Sequence, residues 1–419
     1  MIKFIHTADL HIDSPLRGLA MRDEAMMKRV QRATRTALER IIDLAIEQQV
    51  AFIVVAGDLF DGDWKDMHSG QWAAGQFRRL ADANIGVYYI RGNHDAVSQI
   101  QRKIRWPDNV VELPHDEPAT ITLDDLGVAI HGQGFADREV TIDLAARYPQ
   151  RVPGMFNLGM LHTSLTGSEH HDTYAPTTIE TLRARGYDYW ALGHIHLRNN
   201  DPLSTEPYVA YSGNPQGRHI REPGAKGCLL GEIDGETLKN VTFHATDSIR
   251  WQELIVDVSA EKHLDGVLAK ASAALEKGHR GHEGLSSAFR LTFQGATKVH
   301  DELSDLIKRG EILQELHGSA ESIDDEIWLE KIRFESSPLL AGNVQDAHDL
   351  WGAIAMQFDQ VQDNAEALRQ LEELVKPVLD KVSAQHVSIS EEGTLDERMP
   401  QWIEAAQQLL RSRLGAPSA

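Results

Sequence analysis

Short groups of Asp, Asn and His follow four apolar segments of this 419-residue chain. Gly92-Asn93-His94-Asp95 follows the apolar run 87–90, and similar groups begin at Asp9, Gly57 and Gly193. Each run has the length and composition of a β-strand. Ligands of open α/β sheets bind in the crevice outside the carboxyl ends of the strands. We therefore expect these polar side chains to converge in space.

The atoms that these groups offer are carboxylate and amide oxygens and imidazole nitrogens, which suit Mn, Mg, Fe or Zn. The single cysteine, Cys228, excludes a thiolate-rich zinc site. The candidates are too many for one ion, but they suit two ions about 3.5 to 4 Å apart that share a carboxylate, for which Asp58 is the natural choice. The candidate ligands are Asp9, His11, Asp58, Asn93, His162, His194 and His196.

Each candidate also has a more ordinary explanation when it is taken singly. A His at a strand end is more often a hydrogen-bonded loop residue than a ligand, and an Asp after Gly is usually a turn residue. Four such groups, each at a strand end and in a fixed order, are poorly explained as unrelated turns. The two-metal interpretation is therefore favoured.

The same groups resemble a known family, the calcineurin-like metallophosphoesterases. Within that superfamily, segments 7–11 and 211–218 resemble the SbcD/YhaO-type DNA repair exonucleases. The resemblance is strong over residues 1–250 and holds only in layout beyond them. The motifs that carry it are Asp9-x-His11, Gly57-Asp58-x-x-Asp61, Gly92-Asn93-His94-Asp95, His162 in Gly159-Met160-Leu161-His162, and Gly193-His194-x-His196.

The resemblance implies a role for each residue. His94 would be the catalytic histidine, facing the scissile phosphate to stabilise the transition state or to protonate the leaving oxygen, with Asp95 orienting it. Some relatives carry a His where this chain has Asp61, so a second phosphate-facing imidazole is not expected. Phosphate contact by Arg218 or His219 is a secondary hypothesis. One ion would be bound by Asp9, His11, Asp58 and His196, and the other by Asp58, Asn93, His162 and His194.

The implied reaction is hydrolysis of a phosphodiester in two-metal fashion. A hydroxide that bridges two divalent ions, Mn²⁺ by family analogy, is a nucleophile at neutral pH because coordination lowers the pKa of water toward 7. The ions also neutralise charge on the phosphoryl oxygens, and electrostatic stabilisation of this kind commonly contributes most to catalysis. His94, with an ordinary pKa near 6.5, is a suitable proton donor.

The elements that must position these residues form an α/β pattern. Helices are predicted at 25–49, 70–83, 139–147 and 177–185, alternating with strands at 2–7, 52–56, 87–90, 156–161 and 188–192. Shorter strands at 120–123, 128–131, 208–212, 227–233 and 240–245 lack long crossover helices and fit a second, more antiparallel sheet. The resemblance implies a two-sheet αββα metallophosphoesterase sandwich, here a nuclease domain over residues 1–250.

Beyond residue 250 the pattern becomes β-α-β-α-β, with strands at 251–258, 289–293 and 326–334 and helices at 261–277 and 301–316. This suits a smaller α+β domain over residues 251–338, which the resemblance implies is a capping domain that shapes access of DNA to the active site.

Residues 339–419 form a C-terminal segment with two predicted amphipathic helices. One apolar stripe runs from Trp351 to Leu368, and a second helix starts at Pro400 and ends before Gly415. These stripes either pack onto the cap or each other, or dock into a groove of a partner. The resemblance implies a partner, an SMC-like coiled-coil ATPase (SbcC/YhaN-like), and a homodimer.

The distribution of charge bears on whether the protein binds DNA. The net charge is −21, divided as 26 basic minus 33 acidic residues up to residue 250 (−7) and 16 minus 30 after it (−14). Basic residues nevertheless cluster on the first predicted helix (Lys28, Arg29, Arg32, Arg35 and Arg40) and in a loop (Arg102, Lys103 and Arg105). A solvated surface is the slightly favoured explanation, and DNA affinity should be modest and salt-sensitive.

Three features of the sequence predict the cellular location of the protein. The chain opens on a strand without the features of a signal peptide, no apolar run approaches the ~18 residues of a membrane span, and one cysteine fits a reducing compartment. We therefore expect a cytoplasmic protein without membrane contact.

Three functions stay open. The leading one is a Mn²⁺-dependent DNA nuclease, a 3′ to 5′ exonuclease in DNA repair. The second is a metallophosphodiesterase or phosphatase on small molecules, because fold does not fix substrate. The third is a largely non-catalytic subunit that anchors an SMC-like ATPase on DNA. The intact ligand set argues against the third function, and the added cap and C-terminal helices argue against the second.

Overall fold

A computed structural model describes residues 1–19, 24–61, 67–96, 104–165, 174–339 and 395–414, with single positions 358, 368, 369, 371, 373 and 376. Its contacts divide the chain into two compact units. Unit 1 comprises Met1–Glu253, Lys277–Arg290 and Ile323–Lys331. Unit 2 comprises Leu254–Glu276, Leu291–Ser322 and Ile332–Ala419.

Most of the regular structure belongs to unit 1. Its strands are β1 (Ile2–Thr7), β2 (Phe52–Ala56), β3 (Gly86–Ile90), β4 (Val110–Glu112), β5 (Ala119–Leu123), β6 (Val128–Gly132), β7 (Phe156–His162), β8 (Tyr189–Gly193), β9 (Ser204–Thr205), β10 (Tyr208–Tyr211), β11 (Gly227–Asp234) and β12 (Thr237–Ala245). Its helices are α1 (Glu24–Glu47), α2 (Met67–Asp82), α3 (Asn93–Ala96) and α4 (Ile179–Ala184).

Unit 1 is built on two six-stranded sheets with the orders β12-β11-β1-β2-β3-β4 and β5-β6-β7-β8-β10-β9. Strands β1 to β4 are parallel, as are β6, β7, β8 and β10. The sheets pack face to face through a buried apolar layer that includes Phe4, Phe52, Leu158 and Met160. A second layer covers the first sheet with α1 and α2, and a third covers the other sheet with α4. This is the predicted α/β sandwich of layers α, β, β and α, and that prediction is confirmed.

Three details of the sequence prediction are wrong. The second sheet is no more antiparallel than the first, since each has three parallel and two antiparallel pairings. Strands β11 and β12 do not join the second sheet, since β11 pairs antiparallel with β1 and β12 with β11. Residues 139–147 do not form an α-helix, and only Ala145–Arg147 form a 3₁₀ turn. The apolar residues Val140, Leu144 and Ala145 have the spacing of a helix. They lie on irregular backbone, however, and pack against the side of the second sheet that α4 covers.

The remaining elements follow the predicted β-α-β-α-β order, except that two helices stand where one was predicted before the last strand. They are β13 (Ile249–Asp257), α5 (Leu264–Arg280), β14 (Ser286–Thr297), α6 (His300–Ser304), α7 (Leu306–Ile323) and β15 (Ile327–Pro338), with a sheet of order β13-β14-β15. The domain boundaries at 250 and 338 stay a prediction.

The C-terminal segment is described only in part. Helix α8 (Leu395–Leu414) begins before the expected start and contains Pro400. The helix predicted from Trp351 to Leu368 lies outside the described residues apart from single positions. In the part of the chain that the structure describes, no helix is both long and apolar enough to cross a membrane.

Candidate metal centre

The carboxyl ends of five strands bring the predicted ligands together. Asp9 and His11 follow β1, Asp58 follows β2 and Asn93 follows β3, while His162 ends β7 and His194 and His196 follow β8. Backbone hydrogen bonds hold the first loops to each other, since Asp9 N–H donates to Gly57 O at 3.0 Å and His11 N–H to Asp58 O at 3.0 Å. Parallel pairing therefore places these polar groups at one edge.

Four of these positions adopt left-handed backbone conformations. The φ angles are 52° at Asp9, 42° at His11, 52° at Asp58 and 93° at His194. Residues other than Gly rarely adopt φ > 0, and each such position costs on the order of 1 to 3 kcal/mol. Strain of this kind concentrates at sites where side-chain direction matters.

Atoms of several Asp and His residues that could bind a metal ion lie within 4.8 Å of one another. One such group is Asp9, His11 and His196, and another is Asp9, Asp58 and His162. Most of these side chains are buried, with exposed fractions of 1% or less for Asp9, His11, Asp58 and His162. Asn93 is also buried and faces His162.

The surroundings of His162 favour a positive charge. Its Nδ1 lies 3.0 Å from the carbonyl oxygen of Ala56, which can only accept, so Nδ1 carries a hydrogen. Its Nε2 then faces two more acceptors, Asn93 Oδ1 at 2.9 Å and Asp58 Oδ2 at 3.4 Å. Burial by itself lowers the pKa of His162, but the nearby charge and hydrogen bond of Asp58 outweigh it and raise the pKa to about 9. A proton or a metal ion meets this need.

A second arrangement of the same kind joins His11 and His196. His196 Nδ1 lies 2.6 Å from Glu222 Oε1 and His11 Nδ1 lies 3.4 Å from Asp61 Oδ1, so each Nδ1 faces an acceptor. The two Nε2 atoms face each other at 3.2 Å. Burial, helped by the charge of Arg218, lowers the pKa of His11 to about 3 and keeps it in the neutral form that binds metals. The two facing Nε2 atoms can therefore bind a metal cation between them.

His194 contributes to this region through both backbone and ring. Its backbone N–H donates to both carboxylate oxygens of Asp9, at 3.0 and 3.1 Å. Its ring centroid lies 5.2 Å from that of His162 and 5.1 Å from that of Tyr174. His194 is thus beside His162, although it is not among the groups with donor atoms within 4.8 Å in the described part of the chain.

His94 lies at the edge of the site with about a third of its side chain exposed. Its Nδ1 is 2.8 Å from Asp61 Oδ1, and its backbone N–H donates to Asp58 Oδ1 at 2.9 Å. Burial opposes the imidazolium, but the hydrogen bond to Asp61 and the charges of Asp58 and Asp61 outweigh it and raise the pKa of His94. This imidazole can hold a proton while remaining open to a substrate.

The carboxylate that contacts the His94 ring is not the one expected from the sequence. Asp95, expected to orient His94, is fully buried and accepts hydrogen bonds from the backbone N–H groups of Leu59, Phe60 and Gly92. It therefore fixes the turn that carries His94. The carboxylate against the imidazole ring is Asp61.

Sequence reasoning missed Glu222, a buried carboxylate behind His196. Its Oε1 accepts from His196 Nδ1 at 2.6 Å, and its Oε2 accepts from Asn214 Nδ2 at 2.8 Å and from Arg218 N–H at 2.7 Å. Burial would raise the pKa of Glu222, but His196 and Arg218 lower it, so the carboxylate stays charged. Asn214 and Arg218 lie in segment 211–218, which was the available signal.

Arg218 joins this network to the open side of the site. Its Nη1 lies 3.3 Å from Ser14 Oγ and 3.9 Å from Asp61 Oδ2, and its side chain is 15% exposed. A guanidinium held in this way can contact an anion beside His94. His219 lies nearby, with Nε2 3.5 Å from Glu222 Oε1.

Comparison with known proteins places the chain in a family. Residues 2–198 match the calcineurin-like phosphoesterase family model, and residues 251–337 match the middle domain of metallophosphoesterase YhaO. The metallophosphoesterase YhaO of Bacillus subtilis is 33% identical over 358 residues, which cover 82% of this chain and 86% of that protein.

More distant relatives carry another name. The DNA double-strand break repair protein Mre11 of Methanopyrus kandleri is 24% identical over 291 residues, covering 62% of this chain and 60% of that protein. The Mre11 protein of Sulfolobus acidocaldarius is 21% identical over 271 residues, covering 62% and 67%. By its matched domains and its similarity to the Bacillus protein, the chain belongs to the calcineurin-like metallophosphoesterases, in the SbcD/YhaO-type family.

Proposed function

We propose that this chain is a two-metal phosphodiesterase that acts on DNA as a Mn²⁺-dependent 3′ to 5′ exonuclease. The proposal depends on two close approaches of possible ligand atoms. Nε2 of His162 faces oxygens of Asn93 and Asp58, and Nε2 of His11 faces Nε2 of His196, which leaves room for a cation at each place. The similarity to proteins named for DNA double-strand break repair supports DNA as the substrate.

The proposed ligands divide into two sets that share Asp58. Asp9, His11, Asp58 and His196 would hold one ion, and Asp58, Asn93, His162 and His194 the other. When bound, the ions would supply a water activated at neutral pH and would neutralise charge on the phosphoryl oxygens. Hard oxygen ligands and imidazoles suit Mn²⁺.

The chain's own residues supply the rest of the reaction. His94, charged through Asp61, would protonate the leaving 3′ oxygen from its exposed edge. Arg218, fixed by Glu222, would hold a phosphate oxygen. Asp95 would keep the turn of His94 in place through the three amides it binds.

A partner is proposed for the C-terminal segment. Residues 339–419 would dock to a coiled-coil ATPase of the SMC class, with residues 251–338 as the capping domain. Leu409 and Leu410 of α8 are 45% and 40% exposed, as docking side chains would be. Loss of co-purification with such an ATPase on deletion of residues 340–419 is the expected result, and an unchanged complex would end this part of the proposal.

Incubation of the purified chain and Mn²⁺ with end-labelled duplex DNA tests the activity. We expect nucleotides to be released from 3′ ends, and the His94→Ala variant to release them far more slowly. Hydrolysis of small diesters without release of nucleotides would point instead to a small-molecule phosphodiesterase.

A further inference from the structure

A basic trough runs along one side of α1 in unit 1. It is an open cavity of about 500 Å³, lined by four cations and one acid. The cations are Lys28, Arg29, Arg32 and Arg40, and the acid is Glu326. The remaining lining includes Thr36 and the segments at 248–249 and 284–286. The trough is therefore locally positive, although the net charge of the whole chain is −21.

The spacing of these residues gives the trough a direction. Lys28, Arg32, Thr36 and Arg40 are four residues apart, so their side chains follow one side of the helix. Twelve residues of α-helix rise about 18 Å. A single phosphate group is far shorter than this stripe, whereas a DNA strand presents a phosphate about every 3.4 Å of helix axis.

Two of the cations are fixed in place. Arg29 forms an ion pair with Glu326, and Arg40 donates to the backbone carbonyls of Thr246 and Asp247. The first contact joins α1 to Glu326, which lines the trough, and the second joins α1 to the residues just before the lining segment 248–249. They also leave further N–H donors of each guanidinium for another acceptor.

The other two cations are accessible to an incoming anion. The Lys28 and Arg32 side chains are 68% and 67% exposed, and each forms a surface ion pair with an acid of the same helix, Glu24 and Glu39. Exposed pairs of this kind contribute little to stability, so a phosphate can replace them at little cost.

Arg35, on the same helix, shows by contrast what a structural arginine looks like here. Its guanidinium makes two hydrogen bonds of 2.6 Å to Asp13 and lies 4.9 Å from the ring centroid of Trp72. It does not line the trough. The four cations of the trough are therefore a distinct set within the basic cluster of the sequence.

We infer that this trough binds the phosphate backbone of duplex DNA as a contact surface outside the metal centre. The inference rests on the proposed function for its ligand. Such contacts position the duplex without reading its sequence, and each one lost lowers the salt dependence of binding.

The test compares two double variants of the full-length chain. Lys28→Gln with Arg32→Gln removes the two exposed cations of the trough. Lys239→Gln with Arg183→Gln is the matched control, because both residues lie on the surface away from the trough, one near the β11–β12 turn and the other on α4. The probe is a short fluorescent duplex with phosphorothioate linkages, so that binding is measured without cleavage over a series of salt concentrations.

For the trough variant we expect at least tenfold weaker binding near 0.1 M salt, and a slope of log K against log salt smaller by about 2, at roughly 0.9 per contact. The control should bind like wild type. Both variants should hydrolyse bis-p-nitrophenyl phosphate at the wild-type rate with Mn²⁺. Unchanged duplex binding in the trough variant, or an equal loss in the control, would overturn the inference. Failure of the wild type to hydrolyse any diester would instead count against the proposed function.

Discussion

Four consecutive residues of this chain have four different environments. In the segment 92–95, Asn93 faces His162, His94 faces Asp61, and Asp95 binds backbone amides. Gly92 provides space, because a Cβ there would lie 2.2 Å from Asp58 Oδ1. One short motif therefore joins the proposed metal ligands to the proposed proton donor.

The side chain of His94 should be needed for turnover and not for metal binding, because it contacts Asp61 at the edge of the ligand set. His94→Ala should keep the wild-type metal content and lose about 10² to 10⁴ in single-turnover rate. Metal analysis by mass spectrometry, together with rapid-quench hydrolysis, measures both quantities. A variant that purifies without metal would refute the assigned role.

Glu222 should raise the affinity of the site for metal, because it holds His196 with Nε2 turned toward His11. Removal of such an outer carboxylate typically lowers metal affinity about 10- to 100-fold. We expect this loss for Glu222→Gln in calorimetric Mn²⁺ titration, with a change in the ¹⁵N shifts of the His196 ring. The control Glu330→Gln alters a buried carboxylate paired with Arg290 and should leave both readouts unchanged.

At the scale of elements, the ends of parallel strands explain what could be predicted. Strands β1, β2 and β3 lie side by side in parallel, so residues that follow them meet at one edge whatever their separation in sequence. That rule, applied to Asp9, Asp58 and Asn93, was enough to predict which residues converge.

The missed features depend on contacts that periodicity does not encode. Glu222 meets His196, and Asp61 meets His94, through the paths of loops without regular spacing. The pairing of β11 with β1 is likewise a choice among sheet edges. In residues 139–147, the spacing of three apolar side chains predicts a helix, but the chain packs them against the second sheet from irregular backbone.

The close approach of two loops makes a prediction at this scale. A methyl group at Gly92 would displace the Asp58 carboxylate and weaken its hydrogen bond with His94 N–H. Gly92→Ala should lower the free energy of unfolding by about 1 to 3 kcal/mol and reduce metal content. Gly75→Ala, in α2 with nothing within 4 Å of the added carbon, should instead be neutral or stabilising. Urea unfolding of both variants decides, and equal effects would contradict this explanation.

At the scale of the whole molecule, His6 ties the two sheets of unit 1 together. It lies on β1, fully buried, with Nδ1 2.9 Å from the hydroxyl of Tyr189 and Nε2 3.1 Å from the carbonyl oxygen of Leu192 on β8. Nε2–H donates to the carbonyl and Nδ1 accepts from the hydroxyl, so the neutral ring is fully satisfied. Burial lowers the pKa of His6 to about 3.

This pKa shift makes stability depend on acid. Between pH 6.5 and about 3 the unfolded chain binds a proton at His6 that the folded chain does not, so stability is present above 6.5 and is lost as the pH falls. The loss attributable to His6 should reach about 1.4 kcal/mol per pH unit. Urea unfolding of wild type and His6→Gln between about pH 7.5 and 5 should show a shallower decline in the variant, and parallel declines would contradict the assignment.

The pairing of β1 with β11 also affects how the protein is made. Phe4 lies opposite Gly231, 227 residues further along the chain (231 minus 4), so β1 acquires this neighbour only after that length of chain has been translated. Until then one edge of β1 has open backbone groups, a template for association with other chains. His162 and His196 are also translated after β1 to β3. The proposed metal centre therefore cannot assemble before His196 has been synthesised, and truncated translation products that end before β11 leave one edge of β1 unpaired.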